Sequence, residues 1–350
     1  LSLCKMADVS IITPVHNGER YLEECLLSVA SQSFAGRLEL SVYNDGSKDK
    51  TKEILDKWKE RIEEKGVTVV ISGHEDVTPR GVGYAKNQAV AQSSGKCLCF
   101  LDADDVMDAE RVSCQYEAAL ANPLAIVGCQ FHRQPEGSTA RFTEWANTIS
   151  PQQLYSQIYT SHGPTVIMPT WCSLRSVFEQ VGGFDEGGMG VPEDLIFFYR
   201  HLDLGGEVVR VDRDLLMYRY HPQATTFSIQ EETIWTVRMD YIQRRLIDTY
   251  AHFSIWSAGK QGRRFFRSLS PNNQVKVQMF CDVDEKKIKK QCYTYEESKE
   301  RPKPKIPIVH FSQVKPPVVI CVKMNLTGGG FEDNLASVNL QEGVDYVHFN

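Results

Sequence analysis

The order of strands and helices over the first 130 residues constrains this chain most. The apolar runs Val9–Thr13, Leu38–Tyr43, Val67–Ile71 and Cys97–Leu101 have strand length and β-type composition. Between and after them, helical spacing runs through Tyr21 to Ser31, around Ile54, Leu55 and Trp58, and through Gly81–Ser93 and Arg111–Leu120. Tyr21, Leu22, Cys25, Leu26 and Val29 fall on one helical face. Strict alternation predicts right-handed crossovers and a parallel sheet. Such sheets bind ligands beyond the carboxyl ends of their strands. Three of those ends carry polar clusters: Thr13-Pro14-Val15-His16-Asn17-Gly18-Glu19, Asn44-Asp45-Gly46-Ser47 and Asp102-Ala103-Asp104-Asp105. Their convergence is the expected functional site.

Asp102, Asp104 and Asp105 crowd three carboxylates into four positions, which is unfavourable unless a cation is present. Hard oxygen ligands suit Mn²⁺ or Mg²⁺, and the alternative is an acidic helix cap. Asp45 reads as an acceptor for a base N–H or as part of a plain Asp-Gly-Ser turn. Further on, the Gly-rich loop 182–190 leads through Pro192 to Glu193-Asp194, which opens the apolar helix Leu195–Leu204. Acidic residues there suit the helix dipole. They also suit a general base whose pKa is raised by its neighbour and by burial, with Asp194 expected to be the one that reaches a substrate. Two short strands, Glu207–Val211 and Leu215–Tyr218, then lead to Arg219-Tyr220-His221-Pro222, and Ile229–Tyr250 reads as a closing helix.

Taken in order, Ile12-Thr13-Pro14-Val15-His16-Asn17, Asn44-Asp45-Gly46-Ser47, Gly81–Asn87, Phe100–Asp105 and Glu193-Asp194 resemble the motif succession of family 2 glycosyltransferases, over roughly residues 7–225. The resemblance implies a GT-A fold, a mixed sheet flanked by helices, and inverting transfer from a nucleotide-sugar with a divalent metal. It implies that Pro14, Asn17, Glu19, Asp45 and Lys86 hold the nucleoside, Lys86 standing where many members carry Arg. Asp102 and Asp104 then lie at the donor, Asp104 and Asp105 at the metal with His221, Asp194 with Glu193 at the catalytic base, and Trp171 and Arg175 at the sugar and acceptor pocket. His221 alternatively reads as an exposed His before a proline, and Trp171 as core. His16, His162 and His201 have no metal spacing and are expected to be structural. Cys97 and Cys99 are expected to face opposite sides of their strand, which excludes zinc there.

The chain divides by charge. Residues 251–350 carry 15 Lys and Arg against 10 Asp and Glu, while the first 250 carry 24 against 35. Domains are therefore expected at 7–250 and 251–350, the second a Rossmann-like module with strands at His252–Trp256, Val275–Cys281, Ile306–Val309 and Pro317–Val322. Its turn Ala258-Gly259-Lys260-Gln261-Gly262-Arg263 resembles a phosphate-binding loop, but Ser257 replaces the first glycine and no convincing ribose acid follows, so a dinucleotide site is weakly supported. Lys260, Arg263, Arg264, Lys286, Lys287, Lys289 and Lys290 instead offer phosphate contacts to a polyanion such as tRNA. Ordinary solvated charge is the alternative.

Trp256–Arg267, Phe280–Lys290 and Gly328–Phe349 extend the resemblance to cytosolic queuosine-tRNA galactosyltransferases. That implies UDP-galactose as donor and tRNA-Tyr as acceptor. Other readings are a UDP-N-acetylglucosamine-dependent transferase acting on protein or a small molecule, a nucleotide-binding scaffold, and an oxidoreductase using the second module.

Composition excludes several classes. The 350 residues are 42% hydrophobic and 24% charged, against collagen-like or disordered chains. The 10 cysteines are too dispersed for a disulfide scaffold. No apolar run reaches the ~18 residues of a membrane span, and no signal anchor is evident, so a cytoplasmic protein is expected. Leu1 to Lys5 are expected to be foreign to the fold.

Overall fold

The computed structural model describes residues 6–76 and 78–350; Leu1–Lys5 lie outside the described residues. Two compact units divide the chain. One comprises the residues up to Pro151 with Val166–Thr233, the other Gln152–Thr165 with Ile234–Asn350. The expected boundary at residue 250 thus falls inside the second unit.

The first unit runs β1 (Val9–Val15), α1 (Leu22–Ala30), β2 (Leu38–Asp45), α2 (Thr51–Glu63), β3 (Thr68–His74), α3 (Val82–Gln92), β4 (Cys97–Phe100), β5 (Val106–Met107), α4 (Arg111–Ala121), β6 (Ala125–Gln134), α5 (Ala140–Thr148), β7 (Cys172–Leu174), α6 (Arg175–Val181), α7 (Glu193–Asp203) and β8 (Glu207–Arg219). Its eight-stranded sheet has the order β3-β2-β1-β4-β7-β6-β8-β5. The first four are mutually parallel; β7 is antiparallel to both β4 and β6, β8 is parallel to β6, and β5 is antiparallel to β8. This is the mixed α/β sheet that the motif order implied.

Every residue of β1 is buried, as a central parallel strand requires. Against it pack Leu22, Cys25, Leu26 and Val29 of α1, and Leu55, Trp58 and Ile62 of α2 lie in the same core. Register then fixes the site. Val15 pairs with Asn44, Asp45 with His74, and Ile12 with Phe100, so four strand ends finish along one edge.

Two readings need correction. Glu207–Arg219 is one strand, whose register against β6 slips near Gln130, opposite the polar interruption Asp212-Arg213-Asp214. An irregularity of this kind accommodates extra residues without ending the ladder. Cys97 and Cys99 also share a face, because residues two apart in a strand point the same way. Cys99 pairs with Cys172, whose Sγ lies 3.2 Å from that of Cys97, and all three are free thiols.

The second unit contains β9 (Phe253–Trp256), α8 (Lys260–Ser268), β10 (Val277–Asp282), β11 (Cys292–Thr294), β12 (Lys305–His310), β13 (Val318–Ile320), α9 (Gly330–Ser337) and β14 (Tyr346–His348). Its sheet order is β11-β12-β10-β9-β13-β14, parallel except for β11 at the edge. Strand β9 lies inside, with successive strands added on both sides, which is the doubly wound arrangement. No helix among the described residues is long and apolar enough to cross a membrane.

Candidate active site

The loops after β1 and β2 are stitched to each other. Asn17 sits at φ +51°; its N–H donates to Ser47 Oγ (2.8 Å) and its Oδ1 accepts the Lys48 N–H (2.8 Å). Glu19 Oε2 accepts the Lys50 N–H at 3.1 Å. Asp45 is buried, and its carboxylate accepts from the backbone of Arg80 (2.9 Å) and Gly81 (2.8 Å) while contacting His74 Nε2 at 2.7 Å. Asp45 therefore anchors the entry to α3. Gly81 is required there: its φ is +104°, and a Cβ would lie 3.0 Å from Gly188 Cα. Pro14 lies within β1, and the His16 ring bonds the Asp45 carbonyl.

One turn into α3, Lys86 is 2% exposed and its Nζ lies 2.9 Å from Glu193 Oε1 at the start of α7. Burial opposes the Lys86 charge, but Glu193, with Asp102 and Asp194, outweighs it and the ammonium is held above its usual pKa. The amine expected at the nucleoside is thus committed to Glu193. Its neighbour Asp194 is half-buried, with Oδ1 accepting the Leu195 N–H at 2.7 Å. Burial, followed by repulsion from Glu193, pushes the Asp194 carboxyl up to about 7. Asp102 is pushed up to about 6, again by burial, with Asp104 and Glu193 adding to it and Lys86 opposing. Asp102 adds to the upward shift of Asp194 and Glu193 to that of Asp102, and Lys86, paired with Glu193 at 2.9 Å, opposes both, which brings Asp102 within electrostatic reach of the helix-start pair.

The remaining acids meet the end of β8. Asp104 Oδ2 lies 2.7 Å from His221 Nε2. Asp105 is fully buried and accepts the Arg219 N–H at 2.8 Å; burial holds its carboxyl well above the usual range, with Asp104 and Asp102 adding to the effect. Arg219 is a residue that motif reading misses. Its guanidinium donates to the Asp104 carbonyl, Gln134 and Glu24 and lies 4.4 Å from the Tyr21 ring centre. Its position beside His221 at a strand end was the available signal.

Trp171 and Arg175 are engaged by the protein itself. Trp171 is 1% exposed, donates to the Val166 carbonyl at 2.8 Å and packs among Phe184, Phe197 and Phe198. Arg175 donates to the Gly95 and Val90 carbonyls and Ser93 Oγ, binding the segment that follows α3. Both are structural: an aromatic or an arginine is recognisable in sequence, but its burial is not.

Residues 10–182 match the model for glycosyl transferase family 2. Over that segment, just under half of its length, the chain is similar to family 2 glycosyltransferases. A curated relative, the uncharacterized glycosyltransferase EpsJ of Bacillus subtilis, is 27% identical over 265 residues, covering 72% of each chain. An uncharacterized glycosyltransferase of Rickettsia typhi is 27% identical over 251 residues, covering 65% of this chain and 70% of its own. Among solved structures, Staphylococcus aureus TarS 1-349 in complex with UDP-GlcNAc superposes with TM-score 0.52 at 18% identity, covering 75% of this chain and 70% of that one. That likeness concerns the fold.

The strand-end acids of the first unit offer part of a divalent-cation site. Asp102 Oδ1, Asp105 Oδ2 and His221 Nδ1 are buried without a hydrogen-bond partner. Among the described residues no three His, Cys, Asp or Glu side chains are grouped to hold a metal by themselves. Small hard cations are often held by one or two protein groups plus substrate phosphates, and Asp104 with His221 supplies two such groups.

The raised Asp194 pKa has a measurable consequence. Were Asp194 to take a proton from a substrate it would have to be ionised, so kcat/KM would then fall as pH drops below about 7, approaching tenfold per unit. Glu193→Gln removes the adjacent negative charge and is expected to move the midpoint lower. An initial-rate profile across pH 5.5–8.5, on the order of three units around the midpoint, checks both.

In the second unit the basic residues differ in availability. Lys287 Nζ pairs with Asp282 (2.9 Å), Lys289 pairs with Glu285 (3.5 Å), and Arg263 and Arg264 lie over Tyr293 and Trp235. Lys260, Lys286 and Lys290 are exposed. Asp282 also accepts the Ala258 N–H at 2.8 Å, tying together the turn that resembles a phosphate loop.

Proposed function

We propose that this chain transfers galactose from UDP-galactose to the queuosine nucleoside at the wobble position of tRNA-Tyr, with inversion. The observation that carries the reading is Asp194: a half-buried carboxyl, pushed up to about 7, in the electrostatic field of Asp102, which lies in the segment similar to family 2 glycosyltransferases. The acceptor hydroxyl oxygen forms a bond to the anomeric carbon, its proton passes to Asp194, and the bond to UDP breaks with its electron pair leaving on the diphosphate. Glu193, neutralised by Lys86, orients the helix start and leaves Asp194 as the free base. Asp104 and His221 would hold Mn²⁺ or Mg²⁺, which when bound offsets charge on the departing diphosphate.

A UDP-sugar donor is supported by the TarS complex with UDP-GlcNAc. Resemblance of the second unit's segments to queuosine-tRNA galactosyltransferases supports the galactose and tRNA assignments. The basic side chains of that unit suit an anionic acceptor that remains in the cytoplasm. Parallel incubations of total tRNA with UDP-galactose, UDP-glucose and UDP-N-acetylglucosamine, followed by nucleoside mass spectrometry, test the reading. Hexose on queuosine from UDP-galactose alone is expected; no tRNA product from any donor overturns it.

Charge placement gives a second test. Lys286→Glu with Lys290→Glu is expected to weaken tRNA binding and to lower the slope of log affinity against log salt by about one for each phosphate no longer neutralised. Lys287 is less suitable, because replacing it also unpairs Asp282. Filter binding between low and moderate salt provides the measurement.

A further inference from the structure

Three large apolar side chains stand exposed around the site without any role in the chemistry above. Met189 is 79% exposed, Phe227 54% and Tyr220 38%. Tyr220 adjoins His221, and its ring meets that of Phe227 edge-on at 5.5 Å. Met189 lies on the Gly-rich loop that leads through Pro192 to Glu193 and Asp194. That loop touches both sides of the site: Gly188 is against Gly81, which Asp45 anchors, and a Cβ on Gly190 would lie 3.8 Å from the Ser228 carbonyl, next to Phe227. The three side chains therefore line loops that join the His221 side of the site to the Asp194 side. Arg133 adds a cation, its guanidinium 3.7 Å from the Tyr218 ring centre and 5.6 Å from that of Tyr220.

Exposed aromatics at a catalytic rim are costly in water unless something covers them. A planar base fits: it stacks on aromatic rings, contacts a thioether favourably, and brings a phosphate for a nearby arginine. We infer that Tyr220, Phe227 and Met189 form the acceptor platform, on which an unpaired nucleobase of a single-stranded loop stacks so that its attached hydroxyl reaches Asp194. Specificity for an unpaired base follows, since a base inside a duplex has no free face to offer. The inference rests on the tRNA reading above and adds how the acceptor is held.

The test uses the full chain and the anticodon stem-loop of tRNA-Tyr. Tyr220→Ala and Phe227→Ala are each expected to raise the stem-loop KM and its Kd, measured by fluorescence anisotropy without donor, by roughly tenfold. UDP affinity should stay unchanged, which also shows that the variants fold, and Phe227→Trp should restore binding. A stem-loop made abasic at the acceptor position should bind wild type as weakly as the normal stem-loop binds Phe227→Ala, with no further loss when both changes are combined. If wild type modifies tRNA but the alanine variants bind the stem-loop as wild type does, the platform is overturned alone. If wild type adds no sugar to tRNA, the reading beneath it fails. Variants impaired only towards an oligosaccharide acceptor would overturn the nucleobase assignment.

Discussion

Asp194→Asn is expected to lower sugar transfer by about 10²- to 10⁴-fold, the range that a positioned general base supplies. The substitution keeps the shape of the side chain and the acceptor for the Leu195 N–H. It removes only the site that takes the proton. UDP binding should therefore remain, which isothermal titration can verify in the variant that has lost turnover. Loss of both binding and turnover would mean that Asp194 holds the fold or the donor. Full activity would pass the role of base to another group, and Asp102, pushed up to about 6 in the same site, is the nearest alternative in charge.

Lys86→Met is expected to have the largest effect on stability. Lys86 and Glu193 are both nearly fully buried, at 2.9 Å, and removing the amine leaves a carboxylate without a partner inside the protein. Breaking a buried pair from one side costs roughly 3–5 kcal/mol, whereas replacing both partners costs far less. Urea unfolding should show that loss for Lys86→Met and recovery of most of it in Lys86→Met/Glu193→Gln. The double variant should also keep a base at Asp194. Equal stability of the single and double variants would show that the pair does not bind α3 to α7. Lys86 opposes the upward shift of Asp194, so in the single variant any remaining activity should require higher pH than wild type.

The site was legible in sequence where topology determined it. Parallel alternation alone places His16, Asp45 and Asp102 at neighbouring strand ends, because strand register cannot separate them. The fourth end, His74-Glu75-Asp76 after β3, is also a polar cluster and was passed over, yet His74 contacts Asp45 and Asp76 pairs with Arg80. Lys86 and Glu193 are 107 positions apart, and no local pattern announces a pair that only tertiary packing makes. Strand β6 was not read from the sequence, its apolar run Ala125–Cys129 giving way to polar residues, and its three-residue neighbour β7 is too short to show a period. Trp171 shows the limit from the other side: its neighbours Phe184, Phe197 and Phe198 come from distant segments, so its enclosure could not be read from position.

Product stereochemistry tests the central claim most directly. On the proposed reading, a single displacement, with Asp194 taking the proton from an alcohol that attacks opposite the departing UDP, would convert the α linkage of UDP-galactose into a β linkage. The anomeric proton coupling of the purified product, read by NMR, should report β-galactoside only. An α-galactoside, or a mixture, would contradict the role assigned to Asp194 and the mechanism built on it.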